Sequence, residues 1–254
     1  MKKLLSISLL SILVSANAQD LAQAKPFSGS GAGASFAATD PFLEGLLALK
    51  SERNKEAINA FTRALVAKPD NQKAWYYRGV CNAATGDEVA ALHDLERAIE
   101  LDPHDSNALI RRAEVNANAQ HFNEATNDLN AVLLDHPNGP IAQHALMSLG
   151  RISVQREEYP SAVKAYDRLI AIAPDDARAW YDRGIARAHI DDHIGAYADL
   201  SHAIALDQRL EKAYSARAIE SVHLDRKGDA CPDLMKAKEL GDDSVDDLRA
   251  IYCE

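Results

Sequence analysis

The residues best equipped for chemistry form one short run, His189-Ile190-Asp191-Asp192-His193. On a helix, two histidines four apart flanking two carboxylates would suit Zn2+, which takes imidazole nitrogen and carboxylate oxygen as ligands. On a turn, the same aspartates would cap the next helix and the histidines would face water. Two further pairs, His93-Asp94 and His104-Asp105, have the residue types of a base and its orienting carboxylate. Neighbours in sequence on a helix point in different directions, so adjacency alone does not build such a pair. The chain has no G-x-S-x-G nucleophile, no phosphate-binding glycine loop, no Cys-x-x-Cys pair and no H-E-x-x-H helix beside them. Three cysteines, Cys81, Cys231 and Cys253, complete the reactive set.

The elements that must position these residues repeat. Ala74-Trp75-Tyr76-Tyr77-Arg78-Gly79 returns as Ala179-Trp180-Tyr181-Asp182-Arg183-Gly184. Pro69, Pro103, Pro137 and Pro174 each close an apolar run, at spacings of 34, 34 and 37 residues. The longer spacing contains Asn138-Gly139-Pro140, a turn signal. At the place of the next proline stands Gln208, with Asp207 keeping the turn. Before each closing position come a small residue, a bulky one and a third packing residue, at offsets of four and three: Ala57, Phe61 and Ala64 in the first unit, Ala162, Tyr166 and Leu169 in the fourth. Those offsets place all three on one helical face. A second helix precedes each, with a small residue four after a bulky one: Trp75 and Gly79, Leu109 and Ala113, Leu146 and Gly150, Trp180 and Gly184. In this register the His189–His193 run falls on the turn between two helices.

This pattern resembles the tetratricopeptide repeat (TPR), in units at about 38–71, 72–105, 106–139, 143–176, 177–210 and 211–244. The resemblance implies an all-α, right-handed solenoid over residues 39–253, six helix-turn-helix repeats and a C-terminal capping helix. It implies a scaffold that binds a protein or peptide partner rather than an enzyme, with no cofactor and no metal. In the family, the first helix of each unit forms a concave groove. Carrying that register over gives Lys73, Tyr76 and Tyr77 from the second unit, Asn107, Arg111 and Asn118 from the third, and Arg151 from the fourth. The fifth supplies Arg178, Tyr181 and Asp182. The tyrosines would be apolar anchors and the arginines would meet carboxylates on an extended or helical peptide. The alternative is that some tyrosines pack between repeats, with the arginines paired to Glu114 and Asp182. Some family members clamp a terminal carboxylate with Lys and Asn in the first unit; here Phe42 and Leu46 stand at those positions, which argues against that clamp.

Residues 1–18 have the form of a secretory signal: Lys2 and Lys3, an apolar run from Leu4 to Val14, then Ala16-Asn17-Ala18 as the cleavage site. The run is too short to span a bilayer, which takes about 20 residues. Residues 19–38 are rich in Ser, Gly and Ala and form an expected flexible leader. The expectation is therefore an exported protein, periplasmic in a Gram-negative source and not membrane-spanning, with a role in cell-envelope assembly suggested by the resemblance. The whole chain carries 28 basic against 38 acidic residues, a net charge of −10. Nucleic acid needs a basic footprint, so this balance argues against such a partner. In an oxidising compartment Cys231 and Cys253 are expected to pair, because a short capping helix after Leu240-Gly241 would bring Cys253 back beside Cys231. Cys81 fits a small core position. Two rival functions stay open: a structural protein that associates with itself through its end units, and a metal-dependent enzyme built on His189 and His193. The oligomeric state is open as well.

Overall fold

The computed structural model describes residues Asp40–Cys253, so the expected signal segment 1–18 and leader 19–38 lie outside the described residues. The described chain is all-α: thirteen α-helices and one 3-10 turn, with no strand among the described residues. Helices pair as α1 (Pro41–Lys50) with α2 (Asn54–Ala67), α3 (Gln72–Thr85) with α4 (Glu88–Leu101), and α5 (Ser106–Asn118) followed by α6 (Phe122–Asp135). Then come α7 (Gly139–Gln155) with α8 (Tyr159–Ile172), α9 (Ala177–Ala188) with α10 (His193–Leu206), and α11 (Glu211–His223) with α12 (Lys227–Glu239). The chain ends in the 3-10 turn Asp243–Val245 and α13 (Asp246–Tyr252). It divides into two compact units, one ending at Val115 and one beginning at Asn116.

Three local devices recur among the helix pairs. Aspartate and asparagine cap the helix starts: Asn71 accepts from the Ala74 amide, Asp87 from Ala90, Asp176 from Arg178 and Ala179, and Asp192 from Gly195. These side chains satisfy amide donors that have no partner within the helix, and so account for some of the chain's acidity. The turn between paired helices needs one left-handed residue. Gly86 supplies it at φ 85° without strain; the matching residue elsewhere is Glu52, Gln120, Glu157, Asp191 or Asp225, at φ 57–63°. Thirdly, glycine lets paired helices close. A Cβ on Gly79 would lie 2.9 Å from Leu95 Cγ, one on Gly184 would lie 3.1 Å from Leu200 Cγ, and one on Gly150 would overlap the Tyr166 ring.

Asn138-Gly139-Pro140 marks the connection between α6 and α7, as its composition suggests: Asn138 is the N-cap, Gly139 takes φ 85° and Pro140 sits in the first turn of α7, which reaches 17 residues. Proline fits there because the first helical turn has no intrahelical use for its missing amide.

The cores are built from the repeating small and bulky positions. In the first unit Leu46, Phe61, Ala64, Leu65, Tyr77 and Cys81 are buried together. In the second, Leu200, Ala203, Tyr214, Leu234 and Val245 form the core under the C-terminal cap. Burial pushes the Cys81 thiol up to about 12, which keeps it neutral and unreactive. Cys231 and Cys253 form a disulfide with Cα atoms 5.0 Å apart, holding α13 to α12.

A charged clamp recurs inside this apolar frame. Arg78 makes two parallel bonds to Asp94, through Nε at 2.8 Å and Nη2 at 2.7 Å. Arg183 repeats the arrangement on Asp199, and Arg217 on Asp233. Asp94 and Asp199 are each 2% exposed, so each carboxylate depends on its arginine. The Asp of His93-Asp94 is therefore the anchor of a helix-to-helix bond, while His93 lies largely exposed against the edge of Trp75.

Candidate functional site

In the first unit the residues assigned to a binding face separate into two groups. Lys73 and Asn107 are exposed. Tyr76 is half-buried, and burial raises its phenol pKa while Arg111, which hydrogen-bonds it, pulls the value back. Arg111 Nη1 also meets Glu114 Oε2 at 2.7 Å, so this arginine is already engaged within the unit. Tyr77 is 3% exposed. Its ring stacks on Phe61 at 5.8 Å and packs against Phe42 at 6.1 Å. Its assignment as an apolar anchor for a partner is corrected: Phe42 at the start of α1 covers it, and it is a core residue. Phe42 and Leu46 join that core.

The second unit presents a different surface. Arg151 on α7 and Arg178 on α9 are exposed, as is Asn118 at the end of α5. Tyr181 is half-buried, and Asp182 has 18% of its side chain exposed. Arg178 Nε lies 3.8 Å from Asp182 Oδ2, one helical turn away. Burial lifts Asp182 to about 6, and the charges of Arg178 and Arg151 only partly oppose that rise. Beneath this group lies Tyr166 of α8, fully buried; burial raises its phenol, the Asp182 carboxylate adds to that, and Arg151 and Arg178 oppose it. Four of the assigned residues, Arg151, Arg178, Tyr181 and Asp182, therefore share one surface. It offers two cationic heads, one poorly solvated carboxylate and an aromatic flank. Such a set can pair with a carboxylate or an ammonium on a ligand, beside an apolar side chain.

His189 to Asp192 lie on the turn, as the repeat register requires, with Asp192 capping α10 and His193 as its first residue. The structure parts the two histidines. His189 stacks flat on Tyr159 at 4.2 Å, whereas His193 opens α10 and turns to α11. There its Nδ1 lies 2.8 Å from Glu220 Oε2, and its ring stacks on His223 at 4.4 Å. Sequence reasoning missed Glu220 and His223. The available signal was a Glu-x-x-His spacing in the last turn of the helix after His193. The Arg–Asp clamps were also missed, although each pair is spaced by 16 residues. A separate hollow of about 270 Å3 opens among Leu146, Leu149, Ile152, Arg156, Lys164 and Arg168, and none of the assigned residues lines it.

Two sequence profiles, each described as tetratricopeptide repeat, match the chain: one over residues 149–222, the other over residues 42–106 and 110–177. Among curated proteins, sperm-associated antigen 1 of Rattus norvegicus is 34% identical over 97 residues, which is 38% of this chain and 11% of that protein. DnaJ homolog subfamily C member 3 of Gallus gallus is 26% identical over 134 residues, 48% of this chain and 26% of that protein. The chain thus matches only a minor part of the length of these relatives. Among solved structures, YrrB, described as a TPR protein with an unusual peptide-binding site, superposes with a TM-score of 0.63 at 18% identity, covering 77% of this chain and 99% of that one. The C-terminal part of a TPR repeat-containing protein from Cytophaga hutchinsonii gives 0.68 at 18% identity, covering 78% of each chain. At such identities the likeness is one of fold. The profile matches extend over most of the described helices, and the chain belongs to the tetratricopeptide-repeat family.

Proposed function

We propose that this TPR interaction module binds a peptide segment of a protein partner on the face that α7 and α9 present. The observation that carries the reading is the surface of Arg151, Arg178, Tyr181 and Asp182. Its arginines are exposed, and Asp182 is held near 6 by poor solvation, so a cationic ligand group would relieve it. The preferred ligand is a segment with a carboxylate for the arginines and an apolar side chain against Tyr181. YrrB's peptide-binding site on the same fold supports a peptide as the ligand class.

The test is crosslinking of the protein in its native cell, identification of the captured partner, and repetition with variants. Arg151→Glu with Arg178→Glu, and Tyr181→Ala alone, should each remove most of the capture while helical content by circular dichroism stays constant. If both variants capture the same partner at wild-type level, the ligand binds elsewhere.

We further propose that the chain is exported to the periplasm and works in envelope assembly. The Lys2-Lys3 start, the apolar run and the Ala16-Asn17-Ala18 site support this, and the disulfide suits an oxidising compartment. N-terminal sequencing of the protein from its source cell should begin at Gln19. Intact mass should fall by two hydrogens relative to the reduced form, the difference lying in the peptides that hold Cys231 and Cys253. A mature chain that keeps Lys2 and Lys3 and remains reduced would place it inside the cell instead.

A further inference from the structure

The His193, Glu220 and His223 side chains cluster where α10 meets α11, and the peptide surface does not use them. Each offers a ligand atom, and these atoms lie within 4.8 Å of one another. Glu220 and His223 stand three apart in the last turn of α11 and so share a face. His193 comes to them from the first turn of α10. Glu220 is 4% exposed, and a carboxylate at that depth requires a cationic or hydrogen-bonding partner. The partner in place is one imidazole, with a second stacked parallel to it at an interplanar angle of 4°. Protonating both rings would set two like charges face to face. A single divalent ion would neutralise the buried carboxylate without setting two charged rings face to face.

We propose that His193, Glu220 and His223 form a divalent transition-metal site joining the fifth repeat to the sixth. Two imidazoles and one carboxylate are a borderline donor set that suits Zn2+, Co2+, Ni2+ or Cu2+ and not the oxygen-seeking Mg2+ or Ca2+. The distances allow it. Ligand atoms around tetrahedral zinc sit roughly 3.3 Å apart, given bonds of about 2.0 Å. All separations here are within 4.8 Å and the His193–Glu220 contact is 2.8 Å, so binding an ion requires the exposed His223 ring to turn out of its stack on His193 toward the shared centre. The last carbonyls of α11 point toward its C-terminal end, where the helix dipole favours a cation. His223 is exposed, so an ion can enter and a fourth position stays open to water or to a donor from elsewhere. The site does not depend on the peptide-binding proposal.

The experiment is calorimetric titration of ZnCl2 into purified, tag-free, chelator-treated full-length protein. One equivalent should bind saturably, and Co2+ in its place should give the visible absorption of a low-coordinate site. His223→Ala should weaken binding by roughly tenfold or more, the size of loss that follows removal of a positioned metal-site group. As an exposed residue it should do so with unchanged helical content. His193→Ala should act alike, and Glu220→Gln should weaken binding while preserving shape. His189→Ala should change nothing, because His189 stacks on Tyr159 away from this cluster. The proposal is overturned if wild type takes up no saturable equivalent, if His223→Ala and His193→Ala bind as wild type does, or if His189→Ala alone abolishes uptake.

Discussion

The two repeats that carry the Ala-Trp-Tyr-x-Arg-Gly hexad share nearly every contact. Trp75 Nε1 donates to the Pro69 carbonyl at 2.8 Å, and Trp180 Nε1 to the Pro174 carbonyl at 2.9 Å. Arg78 and Arg183 each lie 4.8 Å over their tryptophan ring and each clamp an aspartate 16 residues on. They diverge at one position of the hexad. Tyr77 fills a core against Phe61, while Asp182 stands over Tyr166, which occupies the same place in the preceding repeat as Phe61. The pair has changed together, aromatic on aromatic in one case and carboxylate over phenol in the other. The frame of a repeat is thus fixed by residues that recur, and the one that varies decides whether the face is closed core or polar surface. In the first unit Phe42 from α1 also covers the position, whereas in the second Arg151 and Arg178 stand there.

Exchanging the two residues should give the largest effect and the greatest asymmetry. Tyr77→Asp removes a buried ring and leaves an unpaired carboxylate among Phe42, Phe61 and Leu46. The cost is about 5 kcal/mol or more, enough to unfold the first unit. Asp182→Tyr places an aromatic ring beside exposed arginines and should change stability by about 1 kcal/mol or less. Urea denaturation followed by circular dichroism measures both. Equal losses would mean that the two positions do the same work and that the comparison fails.

The clamps give the next test, because their second partners differ. Asp94 is also bonded by Asn82 Nδ2 at 2.9 Å, and Asp199 by Arg187 Nη1 at 3.0 Å. Arg78→Ala leaves Asp94 with the Asn82 amide and the more distant His93 ring at 3.4 Å, and should cost about 3 kcal/mol. Arg183→Ala leaves Asp199 with a charged partner and should cost roughly half as much, about 1–2 kcal/mol. Adding Asn82→Arg to Arg78→Ala should recover part of the loss. If the two single variants lose equally, the second partner contributes nothing.

What the sequence disclosed and what it hid follow from the range of the interactions. The helix pairs, the Gly79 and Gly184 approaches and the turn at His189–Asp192 are set by local spacing and repetition, so they were legible. The disulfide was legible because Gly241 and a short amphipathic end force the chain back on itself. Tyr77 was misplaced because register tells which helix a residue is on and not what an end repeat lays over it; Phe42 does that. Asn138-Gly139-Pro140 was legible as the turn that leads into α7, where Gly139 takes a positive φ and Pro140 fits the first helical turn. His193 was read as part of the turn but is the first residue of α10, and its partners Glu220 and His223 belong to the following repeat, so only the packing of α10 on α11 brings them together. Arg111 and Arg178 were each offered two roles, and the structure gives each an ion pair within its own helix.

A pH-dependent effect bears most directly on the divergent position. Asp182 titrates near 6 in the folded chain, against an ordinary value of 3.8, because burial disfavours its charged form. The folded state therefore holds this proton more tightly than the unfolded state does. Stability from this group is complete below about 4 and is lost as pH rises through about 6. A shift of that size corresponds to at most about 3 kcal/mol; the partial exposure of the carboxylate and the exposed arginines beside it bring the expected figure to about 1–2 kcal/mol. Asp182→Asn removes the titration, so the variant should gain on wild type between pH 4 and pH 7, and the two should converge at the acid end. The Tyr77→Phe variant has no group that titrates in this range, so its difference from wild type should stay flat with pH. Paired denaturation curves at several pH values decide the matter. If the Asp182→Asn difference is also flat, the carboxylate is better solvated than its burial implies, and the second unit's face is an ordinary wet surface. If it slopes as derived, a bound cationic group would remove the penalty, and ligand binding at this face should release a proton near pH 6.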